Sequence, residues 1–318
     1  MSQRAAKLGG AVVLVAALLT APATASATLV YSTGDGIFVA NDDGSAARAL
    51  SDDGEGPSIT PDGRYVQWTQ DGQVVVSAVD GVTARRTLPR GYLPPQERAG
   101  WTGRDEVVTD HRSGPAHRLV TIAFDPVTGA RRQVAAGELT FRASASPDGS
   151  QLAMERGHRL GARRPARHAI VVAGSAGPRT VAHGSGPVWG AGGLAYVKPR
   201  GAYGDLQVLT PAGRVITRVH RDRQVVWPVA WLDDGRLLAA AAREYPWRET
   251  PGTQALLVDA AGNVTSLPGR YSGVFGIKAD GSALLAFDES GTAVSVALAD
   301  GRRTALFDGT VDDIAWSR

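Results

Sequence analysis

The sequence predicts an all-β protein, a single β-propeller of four-stranded blades, and three observations carry that prediction. A turn phrase returns along the chain with a period near 43 residues, within the range of a propeller blade. Between its copies lie short apolar runs separated by Asp-Gly turns, and no stretch after residue 27 keeps a helical period over two turns. Gly 39 and Pro 18, about 18% of 318 residues, suit a chain that reverses direction often.

Residues 1–27 read as an address. Arg4 and Lys7 precede a nine-residue apolar run at 11–19, then come Pro22 and Ala25-Ser26-Ala27, a small-x-small signal-peptidase pattern. Nine residues fall short of the roughly 20 needed to cross a bilayer. A cleaved signal peptide at 1–27 and a propeller domain at 28–318 are therefore expected, without a transmembrane anchor. Cys 0 removes a lipobox, disulfides, thiolate nucleophiles and Cys-ligated metals. Secretion or residence in a periplasm is expected, as a monomer. The leader holds two of the 34 basic residues and none of the 31 acidic ones, which leaves +1 for the remainder. With that balance and export, nucleic acid is not an expected partner.

The repeat is clearest in Ser58-Ile59-Thr60-Pro61-Asp62-Gly63, which returns as Ser144-Ala145-Ser146-Pro147-Asp148-Gly149. Weaker copies hold Asp233-Asp234-Gly235 and Asp280-Gly281, and degenerate ones follow Trp101, Trp189 and Trp316. Aligning Thr60, Thr102, Ser146, Gly190, Leu232, Lys278 and Ser317 gives spacings of 42, 44, 44, 42, 46 and 39. Within a unit, residues 64–68 and 73–78 flank a hairpin turn that contains Asp71-Gly72. The start at 28–31 reads as the second strand of a unit that lacks its first, and 313–317 as a first strand with no unit after it. Paired in one blade, they close a ring of seven blades and leave no open sheet edge, with six or eight as alternative counts.

The Ser-Pro-Asp-Gly turn followed by an apolar strand resembles the TolB-type, WD40-like (PD40) propeller repeat, which is also found in relatives of prolyl oligopeptidase. The resemblance covers most of residues 28–318 and implies an exported propeller that binds something. Neither the small α/β domain that precedes the propeller in TolB nor a hydrolase domain is expected here, and TolB's own role does not carry over.

Trp101, Trp189, Trp231 and Trp316 share one blade position with Ile59, Ala145 and Ile277, so they read as inter-blade packing. Asp62, Asp148, Asp234 and Asp280 each belong to their own turn and read as turn formers. Gly-x-Ser-x-Gly, His-Glu-x-x-His, EF-hand, Walker and dinucleotide patterns are absent, so no catalytic residue, metal ligand or cofactor is assigned.

Loops between second and third strands are read as long in four consecutive blades, at 110–117, 156–167, 198–204 and 243–253. They hold ten basic residues against Asp110, Glu244 and Glu249, a net +7. Arginine suits bidentate contact with carboxylate or phosphate, and aromatic side chains anchor interfaces and sugars. The candidate ligand-binding residues are Arg112, Arg163, Arg164, Arg167, Arg200, Tyr203, Arg221, Arg243, Tyr245, Trp247 and Arg248. The expected function is a non-catalytic binding or scaffold propeller for an anionic envelope polymer, a glycan or a protein partner. The alternative is a metal-assisted lyase or hydrolase built on His111, His117, His158, His168, His183 and His220, all on or beside the same face.

Overall fold

The computed structural model describes residues 28–81, 85–89, 92–93, 100–102, 106–113, 118–157, 168–243, 251–278 and 280–317; the segment read as an address lies outside them. Among the described residues every regular element is a β-strand. The strands run in consecutive antiparallel units.

Unit one contains β1 (Thr28–Thr33), β2 (Gly36–Asn41) and β3 (Arg48–Ser51). Unit two contains β4 (Glu55–Ile59), β5 (Tyr65–Gln70), β6 (Gln73–Ala78) and β7 (Arg86–Thr87). In unit three, β8 (Tyr92–Leu93) and β9 (Gly100–Trp101) both pair with β10 (Val107–Ser113), followed by β11 (Arg118–Phe124) and β12 (Arg131–Ala136). Unit four is β13 (Leu139–Ala145), β14 (Leu152–Gly157), β15 (Ala169–Gly174) and β16 (Gly177–His183). Unit five is β17 (Ser185–Gly190), β18 (Gly193–Arg200), β19 (Tyr203–Leu209) and β20 (Val215–Val219). Unit six is β21 (Val225–Trp231), β22 (Leu237–Ala242), β23 (Gln254–Val258) and β24 (Val264–Ser266). Unit seven is β25 (Gly273–Ile277), β26 (Ala283–Phe287), β27 (Ala293–Ala297) and β28 (Arg303–Ala305). The last strand, β29 (Asp313–Trp316), pairs with β1, so the first sheet runs β29-β1-β2-β3. One parallel bridge, Gly204 to Val225, joins units five and six into a single sheet.

Local chemistry explains the turns. In the hairpin between β5 and β6, Asp71 and Gly72 both take positive φ (49° and 68°), the geometry whose twist matches antiparallel strands. In the repeated phrase, Asp148 Oδ1 accepts from Ser146 Oγ (2.6 Å) and from Ser150 N (3.1 Å), and Asp62 serves its turn in the same way. The Ser146 and Ser150 bonds hold the Asp148 carboxyl down to about 2, as expected of a carboxylate that organises a turn.

The core is a series of apolar layers between successive units. Val30, Ile37 and Val39 meet Ile59, Val66 and Trp68; Ala153 and Ile170 meet Trp189, Leu194 and Tyr196. Another layer sets Leu285 and Phe287 of unit seven against Leu29, Tyr31 and Ile314 of unit one. Fully burying each such side chain contributes about 1.5–3 kcal/mol. The tryptophans stitch these layers together. Trp101 Nε1 donates to Ser58 Oγ (2.7 Å) and Trp231 Nε1 to the Val188 carbonyl (3.1 Å), each reaching the first strand of the preceding unit.

First strands are irregular where they pair with second strands. The register shifts between Glu55 and Ser58, Thr140 and Arg142, Ser185 and Val188, Pro228 and Ala230, and Val274 and Gly276. Such bulges bend a strand and leave one residue outside the ladder.

Candidate functional site

Links between units and hairpins between second and third strands share one end of the molecule, called here the loop end. The Arg200 side chain, at the close of β18, reaches the Arg221 carbonyl in the link from unit five to unit six (Nη2 to O, 3.5 Å). Of the candidate residues, Arg163, Arg164, Arg167, Tyr245, Trp247 and Arg248 lie outside the described residues, and Arg112 is placed in β10 by its backbone alone. Arg200, Tyr203, Arg221 and Arg243 are described.

Two of the four long loops are corrected. Residues 198–204 are a hairpin whose strands continue through Arg200 and resume at Tyr203, leaving only Gly201 and Ala202 between them. Residues 110–113 belong to β10, paired with β11 throughout. Alternation along a strand tolerates charge on its solvent face, so charged residues alone did not mark the strand ends. Arg156, counted as a loop cation, lies in β14 and is 4% exposed.

Three candidates come together at the junction of units five and six. Arg200 Nε donates to Asp205 Oδ1 (3.2 Å), and its guanidinium stands 5.9 Å from the centre of the Tyr203 ring. His220 Nδ1 donates to the same Asp205 oxygen (2.9 Å). Burial resists ionisation of Asp205, but the bonds from His220 and Arg200 outweigh it and hold the carboxyl below its ordinary value. Arg221 spans to unit six, donating to Gln254 Oε1 (2.8 Å) and Ser266 Oγ (3.1 Å). Arg223, two residues on, takes φ 52°, a strained choice for a long side chain. Arg243 is exposed just after β22.

A second group was not anticipated. Counting from the paired ends of first and second strands, Ser32, Thr69, Asp110, Glu155, Val197, Ala240 and Phe287 occupy one equivalent position. Only units three and four place a carboxylate there, and both are buried, Asp110 at 4% and Glu155 at 0% exposure. Each reaches the irregular first strand of the next unit. Asp110 Oδ2 accepts from Thr140 N (2.6 Å), and Glu155 Oε2 accepts from Gly186 N (2.8 Å). The bulge of β17 leaves Gly186 outside the ladder and that of β13 begins at Thr140, and the carboxylates satisfy both amides.

The remaining oxygens are also engaged. Thr121 Oγ1 donates to Asp110 Oδ1 (2.8 Å), and His168 Nδ1 donates to Glu155 Oε1 while its ring stacks on Phe141. Burial pushes the Asp110 carboxyl up despite its two hydrogen bonds and the nearby Arg156 charge. Aligning second strands by the repeat shows the signal: charged residues in a column that is otherwise apolar or hydroxylic.

Among the described residues, no group of three or more His, Asp and Glu side chains is arranged to hold a metal ion. His168 and His220 each sit with a single carboxylate, while His117 and His158 lie outside the described residues. No helix among those residues is long and apolar enough to cross a membrane.

No family model matches the chain, and no curated protein matches it. Solved structures do. A prolyl endopeptidase superposes with TM-score 0.63 at 12% identity, covering 91% of this chain and 49% of its own. The β-propeller domain of the trilobed protease from Pyrococcus furiosus superposes with TM-score 0.59 at 12% identity, over 89% of this chain and 95% of that one. A TolB from Agrobacterium tumefaciens gives TM-score 0.51 at 14% identity, over 76% and 87%. The chain spans about half the length of the peptidases it matches (48% and 49%). At these identities the likeness shows the fold alone, which is that of a TolB-like β-propeller. The Pyrococcus domain is described as having an open velcro topology; here Leu29–Ser32 pairs with residues 313–316.

Proposed function

We propose that the chain is an exported, seven-bladed binding propeller, closed by the pairing of β29 with β1, whose loop end recognises an anionic glycan or other anionic envelope polymer. One observation carries this reading: Arg200 and Tyr203 of one hairpin and Arg221 of the following link meet at the loop end on two units tied by a parallel bridge and by the Arg221 bonds. A rigid platform that presents guanidinium and aromatic groups together suits recognition of a polyanion, because little ordering remains to be done on binding. Arg163, Arg164 and Arg167 lie in sequence between β14 and β15 of the neighbouring unit.

Binding to an anionic glycan is expected to weaken as salt rises, since neighbouring arginines act together within a Debye length of about 8 Å. Changing Arg163, Arg164 and Arg167 together to Ser should weaken it further, with stability moving by about 0.5 kcal/mol or less per site. Arg214 and Arg302, in turns at the opposite end, provide the control: equal weakening by Arg214→Ser with Arg302→Ser would reject a loop-end site. Export rests on the leader. N-terminal sequencing of protein from the culture medium or periplasm should read Thr28 or a near neighbour, and an intact Met1 there would reject cleavage.

A further inference from the structure

Arg156 is the least explained of the buried charged side chains described. It is only 4% exposed, and its Nη2 donates to the Glu138 carbonyl (2.5 Å) in the link from unit three to unit four. Its Nε is buried and meets no acceptor. Across the same junction lies Asp110, also 4% exposed, whose described bonds come from Thr121 Oγ1 and Thr140 N. Among the described residues no direct ion pair joins Arg156 to Asp110, but Thr140, the cross-strand partner of Arg156, gives its N–H to Asp110 and so places the two side by side. Each carboxylate oxygen has a second lone-pair direction, so Asp110 retains accepting capacity. The walls are polar: Thr121 Oγ1 and Thr140 Oγ1 lie 2.9 Å apart beside Asp110. At the Asp110 position only unit four also has a carboxylate, Glu155, and at the Arg156 position the other described units have no arginine, so the repeat supplies this pair at no other junction.

Burying a guanidinium N–H without an acceptor costs its full desolvation, and native proteins seldom leave one so. The partner must accept from Arg156 and, facing Asp110, must donate. A carbonyl or a second carboxylate cannot donate, and an ammonium cannot accept. A hydroxyl oxygen does both.

We infer that one hydroxyl oxygen is bound between unit three and unit four, accepting a hydrogen bond from Arg156 Nε and donating one to Asp110. It comes either from a water molecule or from a sugar hydroxyl of the glycan at the loop end; the second source alone rests on the proposed function. Buried waters of this kind make about three hydrogen bonds each and are costly to remove. Bound there, the oxygen couples the two charges that the neighbouring units place opposite one another.

A crystal structure of the full chain at a resolution that places waters tests this, determined with and without a hyaluronate oligosaccharide. The expected result is an oxygen within hydrogen-bond distance, roughly 2.7–3.2 Å, of both Arg156 Nε and an Asp110 carboxylate oxygen. An isolated oxygen in both crystals supports the inference and assigns the solvent source. Its replacement by a sugar hydroxyl in the second supports the inference and assigns the ligand. A dry junction, or Arg156 Nε bonded directly to Asp110 or another protein atom, overturns it. Failure of hyaluronate to bind counts against the proposed function for that glycan and leaves the ligand-free crystal decisive here.

Discussion

Glu155 holds two units together with one carboxylate. Its oxygens serve His168 within unit four and the Gly186 amide of unit five, and no part of it reaches solvent. Removing one partner of a buried pair leaves the others desolvated and uncompensated, a cost of about 3–5 kcal/mol. Glu155→Ala should therefore destabilise by that amount in urea unfolding. Glu155→Gln, which keeps an oxygen for Gly186, should cost about 1–3 kcal/mol. An equal and small loss in both variants would show that the Gly186 bond contributes little. Residue types alone did not reveal this role. Arg156 opens a stretch of arginines that reads as loop charge, and Glu155 just before it carries no motif; only strand pairing shows that the two face opposite neighbouring units. Asp110 was misplaced for the same reason. The turn aspartates were legible because their partners lie two residues away, within reach of the local chain.

At the scale of an element, the degenerate turn of unit five has a physical cause. Where units two and four carry Pro-Asp-Gly, this one reads Gly190-Ala191-Gly192-Gly193. The Trp231 indole of unit six lies against it, so that a Cβ on Gly190 would come within 2.1 Å of Trp231 Cγ and one on Gly192 within 2.1 Å of Trp231 Cζ3. The turn surrendered its motif to make room for its neighbour's tryptophan. Gly192→Ala should accordingly cost about 1–3 kcal/mol through overpacking. Adding Trp231→Phe should recover part of that loss, as a double-mutant cycle on unfolding free energy would show; additive losses would mean that the indole is not what excludes the methyl. Strand existence and order were readable from period and turn residues, because each strand's alternation is local. Strand ends were not, because pairing with a neighbour carried β18 on through Lys198-Pro199-Arg200.

For the whole molecule, the pairing of β29 with β1 matters most. Ser317 N donates to the Thr28 carbonyl (3.0 Å), Thr28 N to Ser317 Oγ (2.7 Å) and Asp312 N to the Ser32 carbonyl (2.9 Å), while Ile314 and Val311 sit in the layer between units seven and one. Deleting Val311 through Arg318 should strip β1 of its partner and remove Trp316 and Ile314, at a cost above the roughly 3–5 kcal/mol of a single buried tryptophan truncation. The expected outcome is aggregation or a clearly lowered Tm in a thermal melt; an unchanged Tm would mean that the pairing of β29 with β1 contributes nothing to stability. The sequence by itself determined the all-β class, the four-stranded repeat and the pairing of the two ends, because period, turn chemistry and alternation are properties of short stretches repeated along the chain. The tertiary structure alone decided which charges are buried, which second strands latch onto the next unit's bulge, and which loop-end residues meet. Those outcomes depend on residues some 30 positions apart in sequence, such as the Asp110 carboxylate with the Thr140 amide and that of Glu155 with the Gly186 amide, brought together only when one sheet stacks on the next.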